Sequence, residues 1–506
     1  MNGDFKTDIT RDTFRPFRHF SRVLMQQGRV QLDADWNEQV DILLHYLRTF
    51  IEDVIGPYPG AGAGDSFQVG KPPVAAKATK SKRAAAKPAD TLQSGQYQLL
   101  IQKGHYYVDG ILCENDDQDN DYTFSIPSSL LPSPAIGTGR TQVSASYFIY
   151  LDVWEREVTY LEDALIREVA LGGPDTTTRS KVVWHVSAVD PKKTGPNPPD
   201  PNDAKYKNGS FKLQLFTTDW ETHLQNWQGG DHGRLKAQTV EPPATGQEPC
   251  AIPATSQYRG VENQLYRVEI HRGTDPSKNP NAPVPTFKWS RENGTVVFPI
   301  KGAVAGGTNL TSLTLTLGNF GRDDSRFGLH VNNWVEIVEI SYGIEQKPGP
   351  LMKVASVHPA TREVTLTSQN GVTLASDGDP DRVLLLRRWD YKQGDTSQPT
   401  TPKFADDDAL QIVGNQALIL EDGLEITFVE DTTAPTYRSG DYWLIAARTA
   451  HGTIENNGVT LPQHGIEHHY APLAYVTLTD GLIADPTTDL YDLRRTINGI
   501  ATIPTA

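Results

Sequence analysis

Four carboxylates close together, Asp152, Glu155, Glu157 and Glu162, are the first residues in this chain whose types could do chemistry. Two such groups at the right separation form a glycosidase pair, one acting as acid and the other as nucleophile or base. Spacing in sequence does not give that separation, and acids alternating with Val153, Trp154 and Val158 equally suit the solvated face of a sheet. Asp117, Asp119 and Asp121 copy the first three ligand positions of a calcium loop, but Tyr122 stands where the turn glycine belongs and Ser128 where the bidentate Glu belongs. Asp377, Asp379 and Asp381 repeat the spacing with Pro380 inside the run and Arg388 at its last position. Both runs read first as acidic hairpin loops, because such spacing is common in turns. His464, His468 and His469 cluster beside Tyr470. Adjacent histidines on a strand point to opposite faces, so His468 and His469 do not readily share a metal, and hydrogen-bonded structural histidines are the favoured reading.

No larger constellation completes these groups. The chain has no HExxH helix and no GxSxG elbow. The stretch from Gly64 to Gly70-Lys71 misses a phosphate loop by one residue, and Pro72 replaces the magnesium-binding Ser or Thr. Cys113 and Cys250 lie far apart and read as reduced thiols rather than as a disulfide scaffold or a zinc site. Nucleophile, base and orienting group cannot be assembled together, so the chain reads as non-enzymatic, with no catalytic residue, metal or cofactor.

The elements that would carry these residues are mostly strands. The 506 residues allow two to four domains, and 37% hydrophobic content suggests small modules with much surface. Alternating or β-branched runs cover Tyr97–Val108, Tyr147–Tyr160, Val182–Val189, Leu265–His271 and Thr286–Pro299. From Trp334 to Leu366, WVEIVEI, LMKVASV and VTLT are strands joined by the turns KPGP and HPATRE, which suggests a small barrel or curled meander. The fold class is therefore mainly β and multidomain, with an N-terminal helical segment followed by several antiparallel modules. The expected divisions are a helical assembly segment (1–60), a Gly/Ala/Pro/Lys linker (61–91), a β domain (92–190) interrupted by a loop-rich insertion (191–258) and continued at 259–326, a barrel-like module (327–390), a C-terminal β region (391–480) and a tail (481–506).

Two features of the first ninety residues bear on partners. Phe17, Phe20 and Leu24 recur at helical spacing between Pro16 and Gly28, and Asp35 with Glu38 resembles a capping box opening a longer helix. On that helix Val40, Leu43, Leu44, Leu47, Ile51 and Val54 form one apolar stripe, with too few charges opposite for a lone solvated helix. The stripe is read as an assembly interface. Lys71 to Asp90 carries six cations and one anion, although the whole chain is at −15. It reads first as a solvated spacer and second as a clamp on an acidic partner through Lys77, Lys80, Lys82, Arg83 and Lys87. Nucleic acid is not expected, because no aromatic residues interleave with these charges and the overall balance is acidic. The start, MNGDFKTDITRD, lacks a signal peptide, and no window reaches the ~20 apolar residues of a membrane span. Cytoplasmic synthesis and assembly are expected, in a particle that stays inside, attaches to a membrane or is released.

Six strings run in order along nearly the whole chain: FSRVLMQQGRVQLDADWNEQ, YLDVWEREVTYLEDALIREVALGGPDTTTR, LYRVEIHRG, FKWSRENGTVVFPI, GDYWLIAARTA and GIEHHYAPLA. Together they resemble an uncharacterised bacterial family, a domain of unknown function associated with phage-tail-like contractile injection systems. The resemblance implies a structural component of the baseplate or spike region, in contact with other tail subunits and with copies of itself in a symmetric particle. It implies no catalytic residues. The Lys71–Asp90 and Asp190–Tyr258 stretches depart from the family picture and look like insertions. The rival readings are a receptor- or carbohydrate-binding tail fibre and a surface-polysaccharide depolymerase. Trp220 with Trp227 could stack on sugars, though they read first as core packing. The usual β-helix of a depolymerase is opposed by the lack of a repeat of 20 to 50 residues.

Overall fold

Among the described residues three hydrophobic cores organise the fold, and each is lined mainly by strands. The computed structural model describes residues 3–9, 12–61, 66–70, 97–116, 122–126, 144–173, 175–189, 232–240, 257–274, 284–302, 304, 306–321, 326–339, 342–343, 347–374, 384–392, 400, 402–431, 435–487 and 489–497. The first core is built from both ends of the chain. Strand Ser144–Val158 pairs on one side with Arg179–Val189 and on the other with His469–Thr479, more than 300 residues away. Arg495–Ile497 lies parallel to Pro59–Ala61, and Leu490–Asp492 pairs with His469–Thr479, so strands also occur in the stretch read as a tail.

The second core joins two sheets. One holds Gln264–Arg272 between Thr286–Ser290 and Tyr442–Arg448; the other holds Arg234–Thr239 between Leu424–Val429 and Thr460–Pro462. Arg234–Thr239 lies within the expected insertion, yet Leu235 is buried. Its sequence, RLKAQT, hides a core strand because only one large apolar residue marks the buried face. The third core fills a closed six-stranded barrel of Val297–Lys301, Gly307–Leu317, Glu363–Leu374, Leu351–His358, Trp334–Glu339 and Leu384–Trp389. The barrel expected from Trp334 onward thus draws two strands from before residue 327. It is inserted in the sandwich, which is itself inserted in the first module.

Two expected strands are interrupted. Tyr97–Val108 divides into Gln98–Ile101 and Gly104–Val108. Thr286–Pro299 is broken by a turn at residues 291–294, where Asn293 and Gly294 take φ of 49° and 69°.

The N-terminal residues strap the modules together. Asp4 N–H donates to Glu155 O at 2.8 Å, and Glu157 N–H to Asp4 O at 3.1 Å. On the sandwich side, Tyr442 Oη donates to Gly3 O at 2.8 Å, Arg267 Nη1 to Phe5 O at 3.0 Å, and Asn293 Nδ2 to Thr7 O at 3.0 Å. Under the strap lies a buried charge network. Arg267 pairs with Glu269 at 2.6 Å and stacks on the Tyr442 ring; Lys288 sits 3.3 Å from Glu269 and 2.6 Å from Glu336. Lys6, Arg267 and Lys288 together hold the Glu269 carboxyl far below the usual carboxylate range, against the opposing effect of its burial.

Candidate assembly surface

The one long helix among the described residues, α1 (Asp33–Val54), begins two residues before the expected cap. Asp35 sits in its first turn and accepts from Leu32 N–H at 3.4 Å, while Glu38 accepts from Thr13 Oγ1 at 2.7 Å instead of closing a capping box. The segment before it is no helix. Only Pro16–Arg18 forms a 3₁₀ turn, ended by His19 at φ 54°. A helix of about a dozen residues with no surface to pack on is marginal in water, and Phe17, Phe20 and Leu24 all face solvent.

α1 meets the β body with its polar side. Ala34 and Ile42 are its buried residues, and half-buried Glu38, Asp41, His45 and Arg48 share that side. Arg48 Nη2 donates to Glu155 Oε1 at 2.9 Å, and the His45 ring lies 5.8 Å from Phe14. Burial raises the Asp41 carboxyl, and the Asp12 and Glu155 charges push the same way. Beneath the helix runs the two-residue hairpin turn Asp109-Gly110, with φ of 47° and 75°. A Cβ on Gly110 would lie 2.6 Å from the Arg48 Cα, so the helix sits where it does because this residue is glycine.

The apolar side faces water. Trp36, Leu43, Leu47, Phe50 and Val54 are 63%, 59%, 55%, 59% and 65% exposed; Val40, Leu44 and Tyr46 are exposed as well, and Ile51 is half-buried. The extended arm before the helix adds Phe17, Phe20, Leu24, Met25, Val30 and Leu32. It is tied alongside α1, where Gln39 accepts from Val23 N–H at 2.9 Å. Fourteen of the 24 large apolar side chains exposed among the described residues lie from Phe17 to Val54. Singly exposed apolar residues are ordinary, whereas a concentrated patch marks an interaction site. The expected stripe is therefore present, and it points away from the protein's own core. Trp36, Tyr46 and Phe50 belong to the same surface and were not in that stripe, although their i, i+3, i+4 spacing to its members is visible in the sequence.

The other candidate residues separate into distinct surroundings. Asp152 is buried and pairs with His468 Nδ1 at 2.7 Å, Glu155 with Arg48, and Glu162 with Arg156 at 2.8 Å. Glu157 is buried under the strap, and one of its oxygens has no hydrogen-bond partner. Asp152 and Glu157 are thus buried, not solvated, on opposite faces of the strand: Asp152 against His468, and Glu157 where the strap pairs with the strand edge at Arg156. The three histidines diverge. His468 goes to Asp152, while His469 Nδ1 lies 2.9 Å from Asp109, and the His464 ring rests 5.4 Å from that of Tyr442. Burial lowers His464 to about 4; for His469, burial is outweighed by the hydrogen bond and charge of Asp109, which raise it. Among the described residues no group of three or more His, Cys, Asp or Glu is placed to hold a metal. Cys113 is a buried free thiol, pushed up by burial. Asp117, Asp119, Asp121, Asp377, Asp379, Asp381, Lys77, Lys80, Lys82, Arg83, Lys87, Trp220, Trp227 and Cys250 lie outside the described residues. No helix among the described residues is long and apolar enough to cross a membrane.

Comparison with known families decides one point. The model of a family of unknown function (DUF6519) matches residues 1–207 and 231–474. The chain belongs to DUF6519. The match runs unbroken through the lysine-rich stretch, and its one internal gap, 208–230, falls within residues 191–258, the stretch read from the sequence as an insertion. No curated protein and no solved structure matches this DUF6519 chain.

Proposed function

We propose that this DUF6519 protein is a non-enzymatic structural subunit of a phage-tail-like contractile injection particle. It docks in the baseplate or spike region through the outward face of α1. The observation that carries this reading is the inverted helix, with its polar side on the β body and its large apolar side chains in water. A helix on the surface of a self-sufficient protein turns its apolar stripe inward, since burying such side chains is worth ~1.5–3 kcal/mol each. The resemblance of its sequence strings supports the kind of particle. The separate structural partners of Asp152, Glu155 and Glu162 support the non-enzymatic reading.

The test replaces Leu44 and Leu47 with Asp and follows incorporation into particles. Both side chains are exposed in the single chain, so its β modules keep their fold, whereas a carboxylate forced into a packed apolar contact has no compensation for desolvation. Loss of incorporation with the β modules still folded is the expected result. Normal incorporation would remove α1 from the account.

A further inference from the structure

The outward residues of α1 carry a stricter pattern than amphipathicity requires. Trp36, Val40, Leu43, Leu47, Phe50 and Val54 are separated by four, three, four, three and four residues. That is the alternation of a heptad seam, in which Val40, Leu47 and Val54 take one core position and Trp36, Leu43 and Phe50 the other. All six are exposed. Equivalent positions recur every seven residues, two turns of 3.5, and a seam of that period stays on one line only when the helix winds around another helix. The surface therefore calls for a helical partner, not an extended strand.

Three features identify the partner's chemistry. First, the positions flanking the seam are Asn37, Leu44 and Ile51 on one side and Gln39, Tyr46 and Asp53 on the other. Charges at those positions are what direct a helix to a different sequence, and only Asp53 is charged, at the helix end. The seam is self-complementary, because identical copies bring no like charges together along its centre. Second, Leu44, Ile51 and Tyr46 widen the apolar face beyond a two-helix seam, so that one neighbour leaves part of it in water. Third, the area suffices. Trp36, Tyr46 and Phe50, each more than half exposed, offer roughly 350 Å² between them. The eleven other exposed apolar side chains of helix and arm add at least as much, which approaches the ~800 Å² per partner of a stable interface. A lipid surface fits poorly. α1 has six acidic residues and one Arg, and Arg48 is engaged with Glu155, whereas helices that lie on membranes present a cationic polar face.

We infer that α1 is one strand of a parallel bundle formed with the same helix of at least two further copies of this chain. The inference rests on the assembly role proposed above and names its partner. Three or more copies related by one cyclic axis necessarily place their helices parallel, with each seam residue facing its own equivalents.

The test uses the full-length chain in two measurements. Sedimentation equilibrium of the purified protein reads its copy number. Disulfide trapping reads the geometry, with Leu43→Cys in a Cys250→Ser background and Thr49→Cys as a control. Thr49 is exposed on the flank of the helix, and the native Cys113 is buried. The expected results are a closed species of three or more copies, chain-to-chain disulfides for Leu43→Cys, and few for Thr49→Cys. A monomer or dimer at every concentration, or equal trapping at both positions, would overturn the bundle. If the chain is monomeric but Leu44→Asp/Leu47→Asp still blocks incorporation, the bundle fails and the assembly role stands, with another subunit's helix as partner. If the bundle forms but incorporation tolerates that double change, the particle role fails and the bundle stands.

Discussion

Replacing Glu157 by Gln should stabilise this protein at alkaline pH and change it little in acid. Glu157 is the last residue but one of strand Ser144–Val158, where the N-terminal strap pairs with it, and its Oε2 is buried without a hydrogen-bond partner. Burial pushes its carboxyl up to about 7; Arg387 of the barrel, Lys6 of the strap and Arg267 of the sandwich offset this in part, while Asp4 adds to it. A rise from 4.5 to about 7 corresponds to about 3 kcal/mol, at ~1.4 kcal/mol per pH unit. Because the folded value is the higher one, the associated stability is fully present below about 4.5 and is lost as pH rises through about 7. His271 and His464 work in the opposite direction, being lowered by burial to about 3 and about 4, so the pH profile of the wild type alone is mixed. The difference between wild type and Glu157→Gln isolates the one group, since Gln approximates the protonated acid at every pH. Urea unfolding from pH 5 to 8.5 should show the variant gaining up to about 3 kcal/mol at the alkaline end and converging with wild type near pH 5. A variant less stable than wild type at pH 8.5 would mean that Arg387, Lys6 and Arg267 outweigh burial, and the reasoning would be refuted.

Lys288→Met should cost ~3–5 kcal/mol in the same assay, because it leaves Glu269 and Glu336 buried without their shared cation. Adding Glu336→Gln should restore part of that loss; no recovery would show that the network is not coupled in this way. Gly110→Val forces a left-handed backbone position on a β-branched residue and drives its side chain into Arg48, so α1 should lift from the body. Hydrogen exchange should then accelerate over residues 33–54 and stay unchanged in the barrel; unaltered exchange in α1 would contradict the seating described.

Local pattern made some of this architecture legible. The barrel strands at Trp334–Glu339, Leu351–His358 and Glu363–Leu374 are consecutive, and a tight turn at residues 359–362 joins the last two, so their alternation and turn residues announce them. The nesting of modules is not local. Pairing of Ser144–Val158 with His469–Thr479 spans most of the chain, and nothing in either strand names the other. The buried network was hidden for a different reason. In LYRVEIHR the charges alternate with apolar residues as on a half-solvated strand, yet Arg267, Glu269 and His271 are buried where the strap, sandwich and barrel meet. For the assembly surface, periodicity identified Leu43, Leu44 and Leu47 as one face, but an apolar stripe ordinarily turns inward. Its outward direction depends on the polar anchors Arg48–Glu155 and Glu38–Thr13, which pair residues from separate elements.

The central claim is that the outward face of α1 is the contact by which this protein enters its particle. A photo-crosslinking residue in place of Phe50, on that face, tests it most directly when intact particles are irradiated, with the same residue at Leu165, 91% exposed on a separate loop, for comparison. Crosslinks from position 50 to another chain of the particle, stronger than those from position 165, are the predicted result. Intact particles in which position 50 reacts with no other chain would contradict the account.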